Sequence, residues 1–258
     1  MTVSDKPVAD MSDGPTTGMA IQFAVLAGLA AYVGLGPAGW VIGAAYAVTM
    51  WVVLGRALRR SGLPSLGAAN WVTLLRATLV GGVAALVADS FTRPVPVLLL
   101  AGIATVAWAL DGVDGQVARR TGTTSELGAR FDMEIDALLI MVLSVFLAGP
   151  LGWWVLAIGG LRYAFVAAAW ALPWMRAPLP PRFSRKVVAA VQGIVLVVAS
   201  AGVLPAIMTL GIVAFALGLL CWSFGRDVDW LWRVGTRPEP IRLSLPQRAA
   251  VATARPPA

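Results

Sequence analysis

Residues 111–136 read DGVDGQVARRTGTTSELGARFDMEID and hold six of the 13 acidic residues in this 258-residue chain. Long apolar runs flank the segment, LLLAGIATVAWAL before it and ALLIMVLSVFLAG after it. Acidic side chains are rare inside membranes and usually functional there. The segment therefore predicts two membrane helices whose acidic ends meet at an aqueous interface.

Local signals divide this segment into a helical hairpin. Arg119 and Arg120 suit the last turn of a first helix, and Gly122 suits the left-handed position that follows it. Thr123 and Glu126 form a capping-box pattern that opens a second helix. We expect the two helices to be joined by a short turn.

Helical spacing places the acids on two faces that can oppose each other. On the first helix one face is shared by Asp111, Asp114, Gly115 and Ala118. On the second helix one face is shared by Gly128, Asp132 and Asp136, whereas Arg130 and Glu134 turn away from it. The small residues on each face would let the two backbones, or a ligand, come close.

Four aspartates that converge at membrane depth need a positive charge beside them, because like charges repel and each buried charge is energetically costly. A divalent cation resolves this repulsion, and hard oxygen ligands favour Mg²⁺, Mn²⁺ or Ca²⁺ over zinc. The chain has no histidine, which excludes imidazole-based catalysis and a histidine zinc site. Its single cysteine, Cys221, lies in an apolar run and implies neither a disulfide nor a metal site.

The pattern D-x2-D-G-x2-A-R-x8-G-x3-D-x3-D at residues 111–136 resembles the signature of the CDP-alcohol phosphotransferase (CDP-alcohol phosphatidyltransferase) family. The resemblance covers about residues 66–225 and implies a core of six membrane helices. It implies transfer of a phosphatidyl, or other substituted phosphate, group from a CDP-alcohol to an alcohol acceptor with release of CMP. CDP-diacylglycerol is the donor expected from most of the family.

The resemblance also implies roles for the signature residues. Two Mg²⁺ or Mn²⁺ ions would be held by Asp111, Asp114, Asp132 and Asp136. Asp136 would either complete that site or act as the general base toward the acceptor hydroxyl. The CDP pocket would be formed by Asp114, Gly115, Ala118, Arg119 and Gly128, with Asn70, Thr73 and Arg76 from an N-x-x-T-x-x-R opening. Asn70 can alternatively serve as a plain helix cap.

Candidate residues for binding the acceptor or a phosphate are basic. Arg162 lies mid-span, where it would either pair with another buried acid or bind a phosphate. The segment FSRKVVAAVQ resembles a family stretch that contains a lysine and a glutamine, so Arg182, Arg185 and Lys186 would bind a phosphate of the acceptor. Their alternative role is that of ordinary basic residues flanking a membrane helix. The acceptor itself stays open.

Composition agrees with a membrane protein, since 59% of the residues are hydrophobic and 13% are charged. An ordinary soluble domain has about a quarter of its residues charged. The net charge of +7 comes from residues scattered between apolar runs, which favours lipid and phosphate partners over nucleic acid. Eight apolar segments of membrane-spanning length begin near Ala20, Ala38, Trp71, Pro94, Leu127, Leu151, Val187 and Pro205.

The basic residues cluster in alternate connections, which predicts that these connections and both termini are cytoplasmic. The expected organisation is a disordered tail at 1–19, an additional membrane hairpin at 20–60, the core at 66–225 and a basic, Pro- and Ala-rich tail at 226–258. The expected location is the inner membrane of a bacterium. Turns on the opposite side are predicted at Gly34, Pro37, Gly149, Pro150 and Pro205. A homodimer follows by analogy with the family. An ion-coupled transporter and a silent scaffold with the same fold are the alternatives to an enzyme.

Overall fold

The structure is a computed structural model that describes residues 13–61, 68–121, 126–180 and 182–235. At residues 13–14, 61, 68–70, 113–121 and 126–127 it describes the backbone alone. All regular elements in the described ranges are helical. The predicted turn at Gly122 and Thr123 lies outside these ranges, as do the first twelve residues and the chain beyond Gly235.

Eight α-helices follow one another in the described part of the chain. They are α1 (Asp13–Val33), α2 (Pro37–Ser61), α3 (Ala68–Ser90), α4 (Val97–Thr121), α5 (Glu126–Leu151), α6 (Leu156–Ala171), α7 (Phe183–Ser200) and α8 (Ala206–Gly235). Short 3₁₀ turns precede and follow α6, at Trp153–Val155 and Pro173–Arg176. This arrangement confirms the prediction of an all-α integral membrane protein.

Seven of these helices are long and apolar enough to cross a membrane, where the sequence predicted eight spans. In the eighth, α4, the side chains are described for Val97–Gly112 only, and this part is apolar but shorter than a full span. α4 is 25 residues long in all, and its sequence beyond Gly112 carries Asp114, Arg119 and Arg120.

Several predicted boundaries differ from the structure. α1 begins at Asp13 rather than near Ala20, and α8 continues to Gly235, past the predicted start of the tail at 226. The extension of α8 is stabilised by packing, since Leu231 is fully buried and the rings of Trp232 and Trp174 meet edge to face at 5.2 Å. Apolar residues that recur with the helical period form one face of a helix, and packing of that face can stabilise the helix beyond its membrane-spanning part.

The turn predicted at Gly149 and Pro150 lies slightly later. α5 continues through Pro150 to Leu151, and the chain turns at Gly152, whose φ is 101°. Residues with a side chain rarely adopt this φ, so Gly suits the position. Gly34 ends α1 in the same way, with a φ of 66° and its N–H donating to the carbonyl of Ala30.

α3 is the central helix of the fold. Buried residues make up 72% of its most apolar window, against 39% or less in the other six spanning helices. It packs against α1, α2, α4 and α5, so it joins the N-terminal hairpin to the rest of the chain. Gly81 permits the close approach of the hairpin, because a Cβ there would lie 2.5 Å from Gln22 and 2.6 Å from Tyr46.

A buried carboxylate attaches the turn of the hairpin to α3. Asp89 is fully buried and accepts hydrogen bonds from the N–H groups of Gly36 (2.6 Å) and Gly39 (2.7 Å) at the start of α2. Arg93, one turn further along, pairs with the same carboxylate at 3.1 Å. A negative charge at a helix N-terminus satisfies backbone donors that have no partner within the helix.

Replacing Asp89 by Ala is expected to lower the free energy of unfolding by about 1–3 kcal/mol, because it removes the acceptor of two buried N–H groups. Thermal unfolding in detergent measures this loss. Ser90→Ala is the matched control, since the Ser90 hydroxyl bonds only within its own helix, to the carbonyl of Val87. Equal melting temperatures for the two variants would contradict the role given to Asp89.

Candidate active site

Three aspartates from two helices converge at one end of the helical bundle. Asp111 lies in α4, directly after the apolar run at residues 98–110, and Asp132 and Asp136 lie in the first turns of α5. One carboxylate oxygen from each lies within 4.8 Å of the other two. The faces predicted to oppose each other therefore do so for these three residues, whereas the side chain of Asp114 lies outside the described part of α4.

A buried arginine from α3 lies among the three carboxylates. The side chain of Arg76 is 1% exposed, and its guanidinium contacts Asp132 and Asp136 directly and Asp111 at 3.1 Å. Its Nε donates to the carbonyl of Ala107 on α4 at 3.1 Å. The central helix thus places one buried guanidinium in contact with three carboxylates.

The carboxylates line a cavity of about 500 Å³ between α4, α5 and α7. Their side chains are between 33% and 40% exposed, so the cavity is accessible to a ligand. The far wall includes Lys186 from the start of α7. A volume of this size is typical of sites for small molecules and cofactors.

Trp108 and Gly193 form an apolar part of the cavity wall. A Cβ at Gly193 would collide with the indole of Trp108. Glycine at this position of α7 therefore leaves room for the indole ring, which belongs to α4. The site therefore combines charged groups at its carboxylate end with an aromatic and aliphatic surface. Sequence reasoning did not identify either residue, because a tryptophan and a glycine in apolar runs look like ordinary packing.

The carboxylates fit a divalent cation by their chemistry. They offer hard oxygen ligands and lie within 4.8 Å of one another. Backbone geometry explains why α5 contributes two of them, since residues four apart in a helix lie on the same face. Asp111, Asp132 and Asp136 could therefore hold a metal ion.

Comparison with known proteins identifies the family. The family model described as CDP-alcohol phosphatidyltransferase matches residues 66–222, which is more than half of the chain. The chain belongs to the CDP-alcohol phosphatidyltransferase family. Comparison with curated proteins and with solved structures finds no significant match.

Membership of the CDP-alcohol phosphatidyltransferase family has direct consequences for the class of protein. The family consists of metal-dependent transferases that act on a CDP-alcohol and an alcohol acceptor. It favours a transferase over a transporter as the activity of this chain. The matched region begins after α2, so the N-terminal hairpin lies outside it.

The structure describes only some of the residues predicted to bind the CDP group. Thr73 is 3% exposed, lies one turn before Arg76 in α3, and has an interaction partner. Gly128 lies one turn before Asp132 in α5. The backbones of Asn70, Gly115, Ala118 and Arg119 are helical, but their surroundings lie outside the described part of the site. Their role in a CDP-alcohol phosphatidyltransferase remains a prediction.

The four basic residues predicted for the acceptor occupy different places. Lys186 lies on the cavity wall that faces the aspartates. Arg162 pairs with Glu134 at 2.5 Å, on the face of α5 that was predicted to turn away from the site. The ion pair that was one of its two predicted roles is therefore present, with an acid that is exposed rather than buried.

Arg182 and Arg185 are directed toward α8. Their guanidinium groups lie 3.8 Å and 3.5 Å from the carboxylate of Asp227, which is only 8% exposed at its side chain. Sequence reasoning missed Asp227, although an acid following a long apolar run was a usable signal. Binding of the acceptor by these arginines stays a prediction, and Lys186 is the candidate that lines the same cavity as the carboxylates.

Proposed function

We propose that this chain transfers a phosphatidyl group from CDP-diacylglycerol to an alcohol, releases CMP, and requires a divalent cation. The observation that supports this most strongly is the convergence of Asp111, Asp132 and Asp136 on one cavity, with Arg76 buried among them. Family membership supplies the reaction class.

The depth of the carboxylates suits a reaction between a lipid and a water-soluble molecule. Asp132 and Asp136 lie six and ten residues into α5, which corresponds to about 9 and 15 Å along the helix. In the sequence of α4, Asp111 directly follows the apolar run at residues 98–110. A donor with acyl chains in the bilayer and an acceptor from the aqueous phase would therefore both reach this level.

In the proposed reaction, Asp136 accepts the proton of the acceptor hydroxyl. The oxygen then forms a bond to the phosphorus that carries the diacylglycerol, the bond from that phosphorus to the oxygen of CMP breaks, and CMP leaves with the electron pair. When bound, a divalent cation would neutralise the charge of the pyrophosphate and stabilise the attacking and leaving oxygens. Asp111, Asp132 and Asp136 would hold it, together with Asp114 from the family signature.

The chain's other charged residues have supporting roles in this proposal. Arg76 orients Asp132 and Asp136 through its two terminal nitrogens, and it limits the repulsion between the carboxylates. Lys186 would contact an acidic group of a substrate from the opposite wall of the cavity. A phosphorylated acceptor therefore fits the site better than a neutral one.

The orientation in the membrane follows from the distribution of arginines. Arg59 and Arg60 lie in the last turn of α2, and Arg233 lies in the last turn of α8, at ends that face the same side if successive helices alternate. By the positive-inside rule this side is cytoplasmic. The proposed site then faces the cytoplasm of a bacterial inner membrane, where a CDP-linked donor and a soluble acceptor are available.

Purified protein in detergent is expected to release CMP from CDP-diacylglycerol only when both an alcohol acceptor and Mg²⁺ or Mn²⁺ are present. A panel of acceptors, with and without a phosphate group, would identify the preferred one. Chelation with EDTA should lower the rate by at least about 100-fold, and re-addition of Mg²⁺ should restore it. Folded protein that releases no CMP with any acceptor, or whose rate is insensitive to EDTA, would contradict the proposal.

A further inference from the structure

A buried carboxylate of α8 links this helix to the start of α7. The side chain of Asp227 is 8% exposed, with Oδ1 3.8 Å from Nη1 of Arg182 and Oδ2 3.5 Å from Nε of Arg185. Arg185 also donates a hydrogen bond to the carbonyl of Pro180, in the connection that precedes α7. Because a buried carboxylate is costly unless a cation lies beside it, Asp227 holds both arginines against α8.

The neighbouring residue of α8 makes a second contact with the same turn. Nη2 of Arg226 donates a hydrogen bond to the hydroxyl of Ser184 at 2.8 Å. The guanidinium of Arg226 also lies over the ring of Trp222, 4.7 Å from its centroid. Two consecutive residues of α8 therefore contact three residues at the start of α7. We call this group the α7–α8 clasp, and its members are Arg182, Ser184, Arg185, Arg226 and Asp227.

Two faces of α7 have different neighbours. Residues 186, 189, 190 and 193 recur with helical spacing and line the cavity that holds the aspartates. Arg185 and Gln192 lie seven residues apart on another face, which meets α8. There the amide of Gln192 donates to the carbonyl of Ala216 at 2.6 Å, and Arg185 pairs with Asp227. The rotation of α7 about its own axis is therefore fixed at two points, and this rotation keeps Lys186 on the cavity wall.

We propose that Asp227 is a positioning residue for binding of the acceptor, because it anchors the first turn of α7 and so holds Lys186 at the cavity. Lys186 follows Arg185 directly in the sequence, so release of Arg185 from α8 would displace it. This inference rests on the proposed function for the role of Lys186, whereas the α7–α8 clasp does not. Asp227 lies beyond residue 222, where the match with the family ends.

The first test measures the α7–α8 clasp without any reaction. Purified protein in detergent is digested with trypsin, and mass spectrometry follows cleavage at residues 182–186. Asp227→Asn should raise the rate of cleavage there about tenfold, because proteolysis follows the opening of the helix end. Asp229→Asn is the matched control, since Asp229 is 55% exposed and pairs with Arg233 of its own helix at 3.0 Å. Equal cleavage rates in the two variants would overturn the proposal.

Ser184→Ala is the second variant for this measurement, and it serves if Asp227→Asn does not fold. It removes the hydrogen bond to Arg226 and leaves every charge of the α7–α8 clasp in place. Its cleavage at residues 182–186 should be about threefold faster than that of Asp229→Asn, which corresponds to the loss of one hydrogen bond. Cleavage at the rate of the control would overturn the proposal in this case as well.

The second test separates positioning from a general effect on the fold. Steady-state rates of CMP release are measured with the phosphorylated acceptor that gives wild type its highest rate. Asp227→Asn should raise the KM for this acceptor about tenfold, with kcat and the KM for CDP-diacylglycerol within about twofold of wild type. Asp227→Glu keeps a carboxylate for the two arginines, so its KM for the acceptor should lie close to wild type.

A double variant shows whether Asp227 acts through Lys186. Lys186→Gln alone should raise the KM for the acceptor, and adding Asp227→Asn should raise it no further. Independent, additive increases would overturn the proposal, as would a fall in kcat without a change in the KM for the acceptor. If wild type releases no CMP, the proposed function is contradicted instead, and trypsin digestion still decides whether Asp227 holds the start of α7.

Discussion

Replacing Asp136 by Asn is expected to lower the rate of CMP release by about 10²–10⁴-fold, because the amide cannot accept the proton of the acceptor hydroxyl. The variant keeps the size of the side chain and one oxygen that can still accept a hydrogen bond from Arg76. Donor binding should therefore change much less than turnover. Steady-state kinetics of CMP release, together with equilibrium binding of the CDP donor, would separate the two effects.

Glu134→Gln is the matched control for this variant. Glu134 lies two residues earlier in α5, carries the same charge, and is directed toward Arg162 instead of Arg76. Its replacement removes one carboxylate at the same depth without altering the site, so turnover should stay within a few-fold of wild type. Near-normal turnover in Asp136→Asn, or an equal loss in both variants, would contradict the role of Asp136.

The sequence predicted the carboxylate cluster because helical spacing alone determines which residues share a face. Asp132 and Asp136 are four residues apart, and the capping and glycine signals located the two helices well enough to oppose Asp111 to them. The outward direction of Glu134 followed from the same periodicity. Local rules of this kind need no knowledge of how distant helices pack.

Contacts between distant parts of the chain were harder to predict. Asp89 and Gly36 are 53 residues apart in the sequence. No sequence pattern around either residue indicates that the carboxylate at the end of α3 accepts hydrogen bonds from N–H groups at the start of α2. The same holds for Arg185 and Asp227. The continuation of α8 beyond residue 226 was missed because hydropathy marks where the apolar run stops, whereas packing of Leu231 and Trp232 stabilises the helix after it.

The position of Arg76 could be predicted from its local sequence, but its contacts could not. Its place in an N-x-x-T-x-x-R pattern predicted that it faces the site, but its contacts with α4 and α5 depend on α3 lying at the centre of the bundle. The guanidinium of Arg76 and a bound metal ion would both reduce the repulsion between the carboxylates, because each brings positive charge to them. The dependence of stability on Arg76 should therefore change with the metal concentration.

Arg76→Gln is expected to lower the free energy of unfolding by about 3 kcal/mol in metal-free buffer, because it leaves three neighbouring carboxylates without their buried cation. This value is at the low end for a broken buried pair, since the carboxylates are at least 33% exposed and partly screened by solvent. Excess Mg²⁺ should restore much of the lost stability. Thermal unfolding with EDTA and with Mg²⁺ measures both effects.

Arg93→Gln provides the comparison, because Arg93 also pairs with an aspartate, Asp89, but lies just beyond the other end of α3. Its destabilisation should be the same with EDTA and with Mg²⁺. Arg76→Lys should fall between wild type and Arg76→Gln, since an ammonium keeps the charge but cannot contact Asp132 and Asp136 through a rigid fork. If Mg²⁺ stabilises Arg76→Gln no more than Arg93→Gln, the three carboxylates do not bind the cation in the free protein.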